Sequence, residues 1–584
     1  MKTLRLALAQ INPKVGDIKG NTEKLIDYIE RSKTLSADIV AFPELSVTGY
    51  PPEDLLLKPA FIRDNVKALQ EIQKHTQGIT VIVGFVDMKE DIYNSAAVFY
   101  NYNLCDIYHK LYLPNYGVFD ELRYFKQGHK VPIYEIAGCK VGLSICEDIW
   151  YPDGPPYIAA LNGAEVLINI NASPYGLNKF RMKEAMLKTR AFDCRSIVAY
   201  LNMVGGQDEL VFDGRSLIVG PSGDILTMGP VFSEDLIIAD LDVESVFLLR
   251  LQSPGNRRKN TFSDRGNDVE IRNVFISGAP EDSKPALPKK QRLTQQTDIE
   301  EEVYSALVTG TRDYVLKNGF KSVVIGLSGG VDSSLVAAVA VDSLGKEQVR
   351  GIFMPSMFTS DESRQDVYEL RRRLDIRVSE IPINGIFNSY MAELESFFKD
   401  KLRDITEENL QARVRGNLLM AFSNKFGCMV LTTGNKSEMS MGYATLYGDM
   451  AGGFAVIKDV PKVLVYRLCK WRNGKSKVIP ETVLTKAPTA ELRPGQKDTD
   501  SLPPYEILDP IIEAYIENDM SYEEMIALGM EADSVSRAIN LIDRSEYKRR
   551  QSPPGVKITG RAFGKDRRFP ITNGYRGESA APGD

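Results

Sequence analysis

A polar segment, SGAPEDSKPALPKKQRLTQQ at residues 277–296, interrupts an otherwise regular alternation of apolar and amphipathic stretches. It is rich in Pro, Lys, Ser and Gln and lacks an apolar pattern, which is typical of a linker. A chain of 584 residues is also too long for one hydrophobic core. We therefore expect two large domains, at residues 1–272 and 299–576, with a linker over 273–298 and a disordered tail over 577–584.

The apolar runs on both sides of this linker predict two α/β domains. Before it, runs at residues 37–45, 79–86, 140–148 and 165–170 are short and lie between amphipathic stretches. Such runs are typical of strands buried in a sheet. After the linker, strand, turn and helix patterns follow one another from residue 321 onward. Strands that alternate with helices indicate a parallel sheet wound by helices.

The composition is that of a globular protein, with 43% hydrophobic and 26% charged residues. A net charge of -6 argues against nucleic acid as the main partner. The N-terminal apolar pattern is too short for a signal peptide, and no apolar run approaches the roughly 20 residues that a membrane span needs. The six cysteines form no CxxC pair, so neither a zinc site nor a disulfide framework is indicated. We expect a cytoplasmic protein that acts on small molecules.

The stretch IGLSGGVDSS, residues 325–334, joins an apolar run to a helical pattern. Two adjacent glycines allow backbone N–H groups to converge on one point. The N-terminus of the following helix adds a partial positive charge, so the turn favours a phosphate, although it lacks the lysine of a Walker A motif. The residues expected to hold this phosphate are Gly326, Leu327, Ser328, Gly329, Gly330, Val331, Asp332 and Ser333.

A second motif, TTGNKSE at residues 432–438, follows the apolar run CMVL. It places Thr433 and Glu438 at the carboxyl edge of the predicted sheet, where open α/β sheets bind ligands. Glu438 and Asp332 would then be two carboxylates near a phosphate group. Such a pair is a natural site for Mg²⁺.

The motif SGGVDS resembles the loop of the N-type ATP pyrophosphatases, which cleave ATP to AMP and pyrophosphate. The larger set SGGVDS, ENLQARVR, TTGNKSE, YGDMAGG, PTAEL and YKRR resembles the NAD⁺ synthetases over most of residues 300–576, in the family's order. This resemblance implies a Rossmann-like domain of the adenine nucleotide alpha hydrolase type, in which the loop binds ATP. The further residues that it assigns to ATP are Thr433, Thr489 and Lys462. Those that it assigns to the substrate, deamido-NAD⁺, are Asn409, Glu438 and Lys548.

Two groups of basic residues in this half have alternative interpretations. On the helix predicted over residues 407–422, Arg413 and Arg415 are expected to form a salt-bridged surface. Residues 547–568 are strongly basic and would suit a nucleic-acid surface. Closure over a phosphate-rich small substrate fits the acidic chain better.

Three polar residues of the first half stand at the ends of separate apolar runs, and these are Glu44, Lys110 and Cys146. A cysteine thiolate is a nucleophile for an amide carbonyl. A carboxylate can take the thiol proton, and a lysine can stabilise the tetrahedral oxyanion. His109 adjoins Lys110, but adjacent side chains of a strand point to opposite faces, so we expect a structural role for it.

The motifs around these residues, FPELSVTGYP, YHKLYLP and SICEDIW, resemble the nitrilase superfamily over roughly residues 3–270. The resemblance implies an α-β-β-α sandwich with Glu44 as general base, Lys110 as oxyanion stabiliser and Cys146 as nucleophile. Glu121 would be a second carboxylate that orients Lys110. The residues that the resemblance assigns to glutamine are Tyr116, Ser173 and Lys179.

Taken together, the two halves resemble the glutamine-dependent NAD⁺ synthetases. That implies ATP-dependent amidation of deamido-NAD⁺ with glutamine as nitrogen donor, with Mg²⁺ as cofactor and a homo-oligomeric assembly. One alternative is another amidotransferase built on an ATP pyrophosphatase, which would amidate a different acceptor. A second is a nitrilase-type amidase whose other half only senses a nucleotide, so that ATP would bind without turnover. A nucleic-acid-binding protein would instead show a steep salt dependence of affinity.

Overall fold

The computed structural model describes residues 2–252, 269–279, 284–287, 297–399, 401–500 and 502–575. The chain groups into two compact units, one of Met1–Gln207 with Val211–Gln296 and the other of Asp208–Leu210 with Thr297–Asp584. Much of the predicted linker and all of the predicted tail lie outside the described residues.

Two large sheets with flanking helices form the described part of the first unit. Its strands are β1 (Thr3–Gln10), β2 (Ile39–Ala41), β3 (Thr80–Met88), β4 (Ile92–Tyr100), β5 (Asn103–His109), β6 (Lys130–Ile136), β7 (Cys139–Ile145), β8 (Val166–Asn171), β9 (Ile197–Asn202), β10 (Val204–Gln207), β11 (Leu210–Asp213), β12 (Leu217–Val219), β13 (Ile225–Met228), β14 (Asp235–Asp242) and β15 (Glu270–Phe275). Its helices are α1 (Ile18–Thr34), α2 (Pro59–Gln73), α3 (Pro155–Leu161), α4 (Lys179–Cys194) and α5 (Glu244–Gln252).

The two sheets pack face to face, as the burial of alternate residues of β1 shows. One sheet has the order β14-β1-β2-β3-β4-β5, and the other has the order β13-β12-β9-β8-β7-β6-β15. Leu6 and Leu8 of β1 share a core with Ile168 of the second sheet, whereas Ala7 packs with Leu25 of α1. Alternate residues of a strand face opposite sides, so β1 is buried by a sheet on one side and by helices on the other. Since α3 and α4 contact the second sheet, the predicted α-β-β-α sandwich is confirmed.

Strand β15 ends the second sheet and pairs in parallel with β6. It runs from Glu270 to Phe275, so the boundary predicted at residue 272 falls inside a strand. No apolar pattern marks this strand in the sequence, because it is mostly exposed and lacks a buried apolar face.

A single parallel sheet with helices forms the described part of the second unit. Its strands are β16 (Val323–Leu327), β17 (Val349–Phe353), β18 (Arg377–Glu380), β19 (Met429–Thr432) and β20 (Phe454–Ala455). Its helices are α6 (Ile299–Lys317), α7 (Val331–Leu344), α8 (Asp361–Leu374), α9 (Asn384–Phe398), α10 (Ile405–Phe426), α11 (Lys436–Met441), α12 (Lys462–Lys475), α13 (Glu481–Thr485), α14 (Tyr505–Ile512), α15 (Tyr522–Ala527), α16 (Ala532–Arg544) and α17 (Glu546–Arg549).

The order of this sheet, β18-β17-β16-β19-β20, creates a crevice beside its central strand. All four pairings are parallel, and from β16 the chain moves first to one side and then to the other. The carboxyl ends of β16 and β19 therefore form a topological switch point, where such sheets bind ligands. Helices α7 and α10 both pack on β16, and the predicted doubly wound parallel sheet is confirmed.

No helix in the part of the chain that the structure describes combines the length and the apolar character that a bilayer span requires.

The packing of β1 predicts a large stability loss for Leu6→Ala. The Leu6 side chain is fully buried between the sheets, and a cavity there lowers the free energy of unfolding by about 2–5 kcal/mol. Leu57→Ala is the matched control, because that leucine is 63% exposed. Urea unfolding followed by circular dichroism measures both changes. Equal effects of the two substitutions would contradict the buried position of Leu6.

Candidate active sites

The Lys110 ammonium lies at the centre of a polar cluster at the strand ends of the first unit. Its Nζ donates to Glu44 Oε1 at 2.7 Å and to both carboxylate oxygens of Glu121 at 2.9 Å. Lys110 and Glu44 are fully buried and Glu121 nearly so. The structure thus brings the predicted base, the predicted oxyanion stabiliser and the predicted second carboxylate into direct contact.

Further donors fix the orientation of the two carboxylates. Asn94 Nδ2 donates to Glu44 Oε1 at 2.7 Å and to Glu121 Oε2 at 3.3 Å. The backbone N–H of Ala172 donates to Glu44 Oε2 at 2.9 Å, and the Tyr50 hydroxyl donates to Glu121 Oε1 at 3.0 Å. Every oxygen of both carboxylates therefore accepts a hydrogen bond, as buried charges require.

The charges of this cluster depend on one another. Burial alone would lower the pKa of the Lys110 ammonium, but Glu121 and Glu44 raise that pKa well above its usual value. Burial raises the pKa of Glu121 to about 7, against the opposing effect of the Lys110 charge. Lys110 therefore stays protonated at neutral pH and remains a hydrogen-bond donor.

Cys146 stands at an abrupt turn, where β7 ends and a 3₁₀ turn over Cys146–Ile149 begins. Its φ of 43° lies in the left-handed region, which costs a non-glycine residue about 1–3 kcal/mol. Burial raises the pKa of the Cys146 thiol well above its usual value, and Glu44 raises it further, whereas Lys110 lowers it. The thiol is thus protonated at rest, and among its charged neighbours Glu44 has the strongest effect.

Of the residues predicted to hold glutamine, Tyr116 directly contacts Glu147 in this turn. The Tyr116 hydroxyl donates to the two carboxylate oxygens of Glu147 at 3.2 and 3.0 Å. Ser173 is buried, and its backbone N–H donates to Asn202 Oδ1 at 2.8 Å. Lys179 begins α4, and its charge lowers the pKa of Glu147, which burial raises. Glu147 is a carboxylate that the sequence analysis did not assign.

A glycine lets the loop that carries Glu44 lie directly on the sheet. A Cβ on Gly84 of β3 would meet Pro43 O at 2.3 Å and Leu45 N at 2.5 Å. Those distances are too short for any side chain. The signal was a lone glycine inside the apolar run ITVIVGFV, which often marks a close backbone approach.

His109 belongs to a different set of contacts. Its Nε2 lies 2.8 Å from Asp87 Oδ2, and its ring stacks on Tyr93 with centroids 4.1 Å apart. These contacts agree with the structural role expected for this histidine.

The second unit has a cavity of about 290 Å³ at the switch point. Loops after β16 and β19, helix α10 and residues 486–492 all contribute to its walls. The predicted residues that line it are Gly326, Leu327, Ser328, Gly330, Val331, Asp332, Ser333, Thr433, Glu438, Lys462 and Thr489. Three others, Gly329, Asn409 and Lys548, lie outside the lining formed by the described residues.

The turn between β16 and α7 is held by its own serines. The backbone N–H of Gly330 donates to Ser328 Oγ at 3.1 Å, and Ser333 Oγ donates to the Gly330 carbonyl at 3.1 Å. Gly329 has a φ of 78°, and a Cβ there would meet Ser363 O at 2.5 Å. Only glycine therefore fits at that position.

Lys462 occupies the point where the two predicted metal-binding carboxylates converge. Its Nζ lies 2.5 Å from Asp332 Oδ2 and 3.1 Å from Glu438 Oε1. Asn435 supports both carboxylates, because its Nδ2 donates to Asp332 Oδ1 at 2.9 Å and its backbone N–H donates to Glu438 Oε2 at 3.4 Å. Burial raises the pKa of Glu438 to about 7, against the effect of the Lys462 charge.

Asp332 and Glu438 are of the ligand type that Mg²⁺ prefers. Among the described residues, no cluster of three or more His, Cys, Asp or Glu is arranged to hold a metal. Mg²⁺ commonly binds one or two carboxylates and completes its shell with water and substrate phosphates. Asp332 and Glu438 supply two such hard oxygen atoms, and in this structure the Lys462 ammonium pairs with both of them.

The two predicted substrate residues outside the lining have partners of their own. Asn409 Oδ1 accepts from the Thr445 hydroxyl at 2.8 Å, and Thr445 lines the cavity. Lys548 Nζ donates to the carbonyls of Gly442 at 2.7 Å and Ala444 at 2.9 Å. Their contact with a dinucleotide stays a prediction.

Comparison with known proteins assigns a family to each unit and to the whole chain. The carbon-nitrogen hydrolase family matches residues 5–250, and the NAD synthase family matches residues 303–552. A glutamine-dependent NAD⁺ synthetase from Thermotoga maritima is 50% identical over 583 residues, which is 99% of this chain and 100% of that one. Another from Aquifex aeolicus is 49% identical over 578 residues, covering 98% and 100%.

The chain belongs to the family of glutamine-dependent NAD⁺ synthetases. The family predicted from the sequence is thereby confirmed.

Solved structures of this family have the same fold. A glutamine-dependent NAD⁺ synthetase from Acinetobacter baumannii, in complex with ADP, is 42% identical and matches with a TM-score of 0.73, covering 98% of this chain and 99% of that one. One from Cytophaga hutchinsonii is 21% identical with a TM-score of 0.80 over 98% of each chain, and at that identity the likeness concerns the fold alone.

One expectation about this synthetase chain is wrong, and it concerns Arg415. The sequence analysis placed this arginine in a salt-bridged surface, yet it lines the cavity and its Nε donates to Met354 O at 3.1 Å. Burial lowers the pKa of Arg415 to about 10. Arg413 is exposed and donates to Leu446 O at 3.2 Å. The sequence pattern did not distinguish Arg413 from Arg415, because both lie on α10.

Lys486 is, after Arg415, the second cation of this cavity that was not predicted from the sequence. It lines the cavity, and its Nζ lies 2.9 Å from Ser363 Oγ and 3.1 Å from Asp366 Oδ2. The signal was its position two residues before the PTAEL motif.

The raised pKa of Glu438 predicts a pH dependence of stability. Its folded-state pKa is about 7, against an ordinary value of 4.5. Between these values the folded chain binds the extra proton, so this group lowers the free energy of unfolding as pH rises through that window. Glu438→Gln should flatten that decline, measured by urea unfolding at several pH values.

The exposed Glu393 provides the charge-matched control, as Glu393→Gln. Identical slopes for wild type and Glu438→Gln would show that Glu438 is ionised throughout the window.

Proposed function

We propose that the chain converts deamido-NAD⁺ to NAD⁺ with ATP and L-glutamine, releasing AMP, pyrophosphate and L-glutamate. An amide forms from a carboxylate only when the carbonyl is activated and an unprotonated nitrogen is available, and free amines are mostly protonated at neutral pH. One observation carries the proposal. The same chain holds a buried Cys146 whose neighbouring backbone shares the Asp148 carboxylate with the backbone beside Lys110, itself paired with Glu44, and a glycine-rich turn at a cavity on the switch point of a parallel sheet.

We assign the release of nitrogen to the first unit. Glu44 takes the proton of the Cys146 thiol, and Sγ attacks the side-chain amide carbon of glutamine. The Lys110 ammonium donates to the oxyanion. The carbon–nitrogen bond then breaks, the nitrogen leaves as ammonia with the proton returned from Glu44, and water hydrolyses the thioester to glutamate. Glu121 keeps Lys110 in place, which its two contacts at 2.9 Å support.

The charged side chains beside Cys146 match the two charged groups of an α-amino acid. Glutamine carries an ammonium and a carboxylate on its α-carbon, and each needs an opposite partner in a buried site. We assign the ammonium to Glu147, which is buried beside the nucleophile, and the carboxylate to Lys179. Tyr116 and Ser173 complete this pocket. The hydrogen bonds from Tyr116 to Glu147 support a shared role.

We assign activation of the acceptor to the second unit. A carboxylate oxygen of deamido-NAD⁺ attacks the α-phosphorus of ATP, and the bond to the bridging oxygen of pyrophosphate breaks. Ammonia then attacks the carbonyl of the adenylate, and AMP leaves. The turn from Gly326 to Ser333, with Thr433 and Thr489, would hold ATP. The cations Lys462, Arg415 and Lys486 at this cavity support a strongly anionic ligand.

We propose that Asp332 and Glu438 hold Mg²⁺ together with the phosphates of ATP. The ion would neutralise charge on the triphosphate when bound. Glu438, which lines the cavity, would also contact the dinucleotide, together with Asn409 and Lys548 from outside the lining.

We propose boundaries at residues 272 and 299 for the two enzymes, with the tail beginning at 577. The separation of the chain into two compact units supports two enzymes, although β15 extends the first one to Phe275. A cytoplasmic location is supported by the spacing of the six cysteines, which includes no CxxC pair and indicates no disulfide framework, as in proteins of reducing compartments.

A homo-oligomer is supported by exposed apolar side chains on α9, in the loop that follows it and at the start of α10. Phe397 is 79% exposed, Leu402 93% and Ile405 67%, and such a patch is typical of an interaction surface. The double variant Phe397→Glu with Ile405→Glu should have a lower mass than wild type by light scattering. Leu57→Glu, which changes an isolated exposed leucine, should not. A monomeric wild type would contradict the proposal.

The decisive test measures whether the amide nitrogen of glutamine is transferred to NAD⁺. The full-length chain is incubated with deamido-NAD⁺, Mg²⁺-ATP and amide-¹⁵N glutamine, and NAD⁺ is analysed by mass spectrometry. Label in the carboxamide of NAD⁺, with one AMP and one pyrophosphate per turnover, is the expected result. Glutamine hydrolysis without AMP formation would contradict the proposed synthetase reaction.

Cys146→Ala should separate the two reactions. Without the sulfur nucleophile, glutamine-driven NAD⁺ formation should fall by at least about 10³-fold, whereas synthesis with added ammonium should continue. Cys139→Ala is the matched control, since that buried cysteine starts the same strand. Loss of both activities in Cys146→Ala, at unchanged thermal stability, would contradict the assignment of two sites.

A further inference from the structure

Asp148 is a buried carboxylate two residues beyond the nucleophile, and the reaction described above does not use it. It is fully buried, and four donors of the first unit converge on it. Leu111 N and Tyr112 N donate to its Oδ1 at 3.1 and 3.0 Å. The Tyr108 hydroxyl and Ile145 N donate to its Oδ2 at 2.6 and 2.9 Å.

These donors come from two separate segments, and each segment carries a residue of the site. Tyr108, Leu111 and Tyr112 surround Lys110 in the chain, where β5 ends. Ile145 is the last residue of β7 and immediately precedes Cys146. One carboxylate group therefore joins the backbone beside the cation to the backbone beside the sulfur.

The charge on Asp148 strengthens this link. Burial raises its pKa to about 6, while the Tyr108 hydroxyl and the backbone N–H groups lower it. The carboxylate is therefore mostly ionised at neutral pH. Hydrogen bonds to an ionised acceptor are roughly twice as strong as those between neutral groups.

We propose that Asp148 is a positioning residue for amide cleavage, which fixes the separation between Cys146 and the Lys110 ammonium. This role rests on the proposed glutamine reaction. The sulfur must reach the amide carbon while the ammonium reaches the oxygen of the same carbonyl, so the two groups act at a set spacing. Cys146 also has a left-handed φ of 43°, and such a conformation persists only when its surroundings over-determine it.

Asp148→Asn tests the proposal in the full-length chain. Asparagine has the same shape, but one oxygen becomes an NH₂ group that cannot accept from a backbone N–H. Whichever way the amide turns, it loses acceptor contacts with one of the two segments. We expect kcat for glutamine hydrolysis to fall about 100-fold, as for a misplacement of about 1 Å, with little change in KM. Synthesis driven by ammonium should match wild type.

Tyr108→Phe is the second variant and removes one donor without adding a new one. Its kcat with glutamine should fall about tenfold, as for loss of a hydrogen bond to a charged group. Should Asp148→Asn fail to fold, this variant decides the question. An unchanged kcat in Tyr108→Phe would then overturn the proposal.

Alkylation of Cys146 by iodoacetamide gives a readout that needs no substrate. Rates are measured against pH, and the Cys146→Ala chain provides the background from the other cysteines. A changed spacing to Lys110 should displace the pH profile of alkylation in Asp148→Asn. A purely structural role predicts an unchanged profile with a lowered melting temperature, and that result would overturn the proposal.

The outcomes also separate this proposal from the proposed function. A displaced alkylation profile in a chain whose wild type does not hydrolyse glutamine would support positioning but refute the glutamine reaction. Wild-type kcat in Asp148→Asn, with active wild type, would refute positioning alone. A parallel loss of glutamine-driven and ammonium-driven synthesis would refute it as well.

Discussion

A lysine ammonium buried between two carboxylates organises the candidate site of each unit. Lys110 lies between Glu44 and Glu121, and Lys462 lies between Asp332 and Glu438. An unpaired buried charge is too costly to keep, and removing one partner of a buried pair typically costs about 3–5 kcal/mol. The loops at the strand ends must therefore converge on each ammonium. The ion pairs that stabilise these loops therefore also hold the residues proposed for catalysis in place.

The residues of the first candidate site could be predicted because each follows an apolar run that forms a strand, β2 and β5 in one sheet and β7 in the other. Glu44, Lys110 and Cys146 carried that signal. Asp148 stands in the same SICEDIW motif, but its partners are backbone N–H groups near residue 110, a long way off in sequence. Periodicity describes which face of an element is apolar and contains no information on which distant backbone group a carboxylate will accept from.

In the second unit the glycine-rich turn and the parallel sheet followed from the pattern of strands and helices. The pattern did not separate Arg415, at the cavity, from Arg413, at the surface, since both lie on α10. It also placed a boundary at residue 272, inside β15, because an exposed strand at the edge of a sheet has no apolar alternation to reveal it. The surroundings of the two arginines and the position of β15 both depend on tertiary contacts, which local propensity does not determine.

The left-handed backbone at Cys146 gives the proposed nucleophile a cost in folding as well as its proposed role in catalysis. Glycine would adopt that conformation without penalty, and most chains accumulate changes that relieve strain once selection for an activity ends. In a lineage supplied with abundant ammonia, replacement of Cys146 by glycine would relieve this strain and stabilise the fold. The residue at position 146 in a descendant of this chain would then indicate whether its cell supplied nitrogen as glutamine or as ammonia.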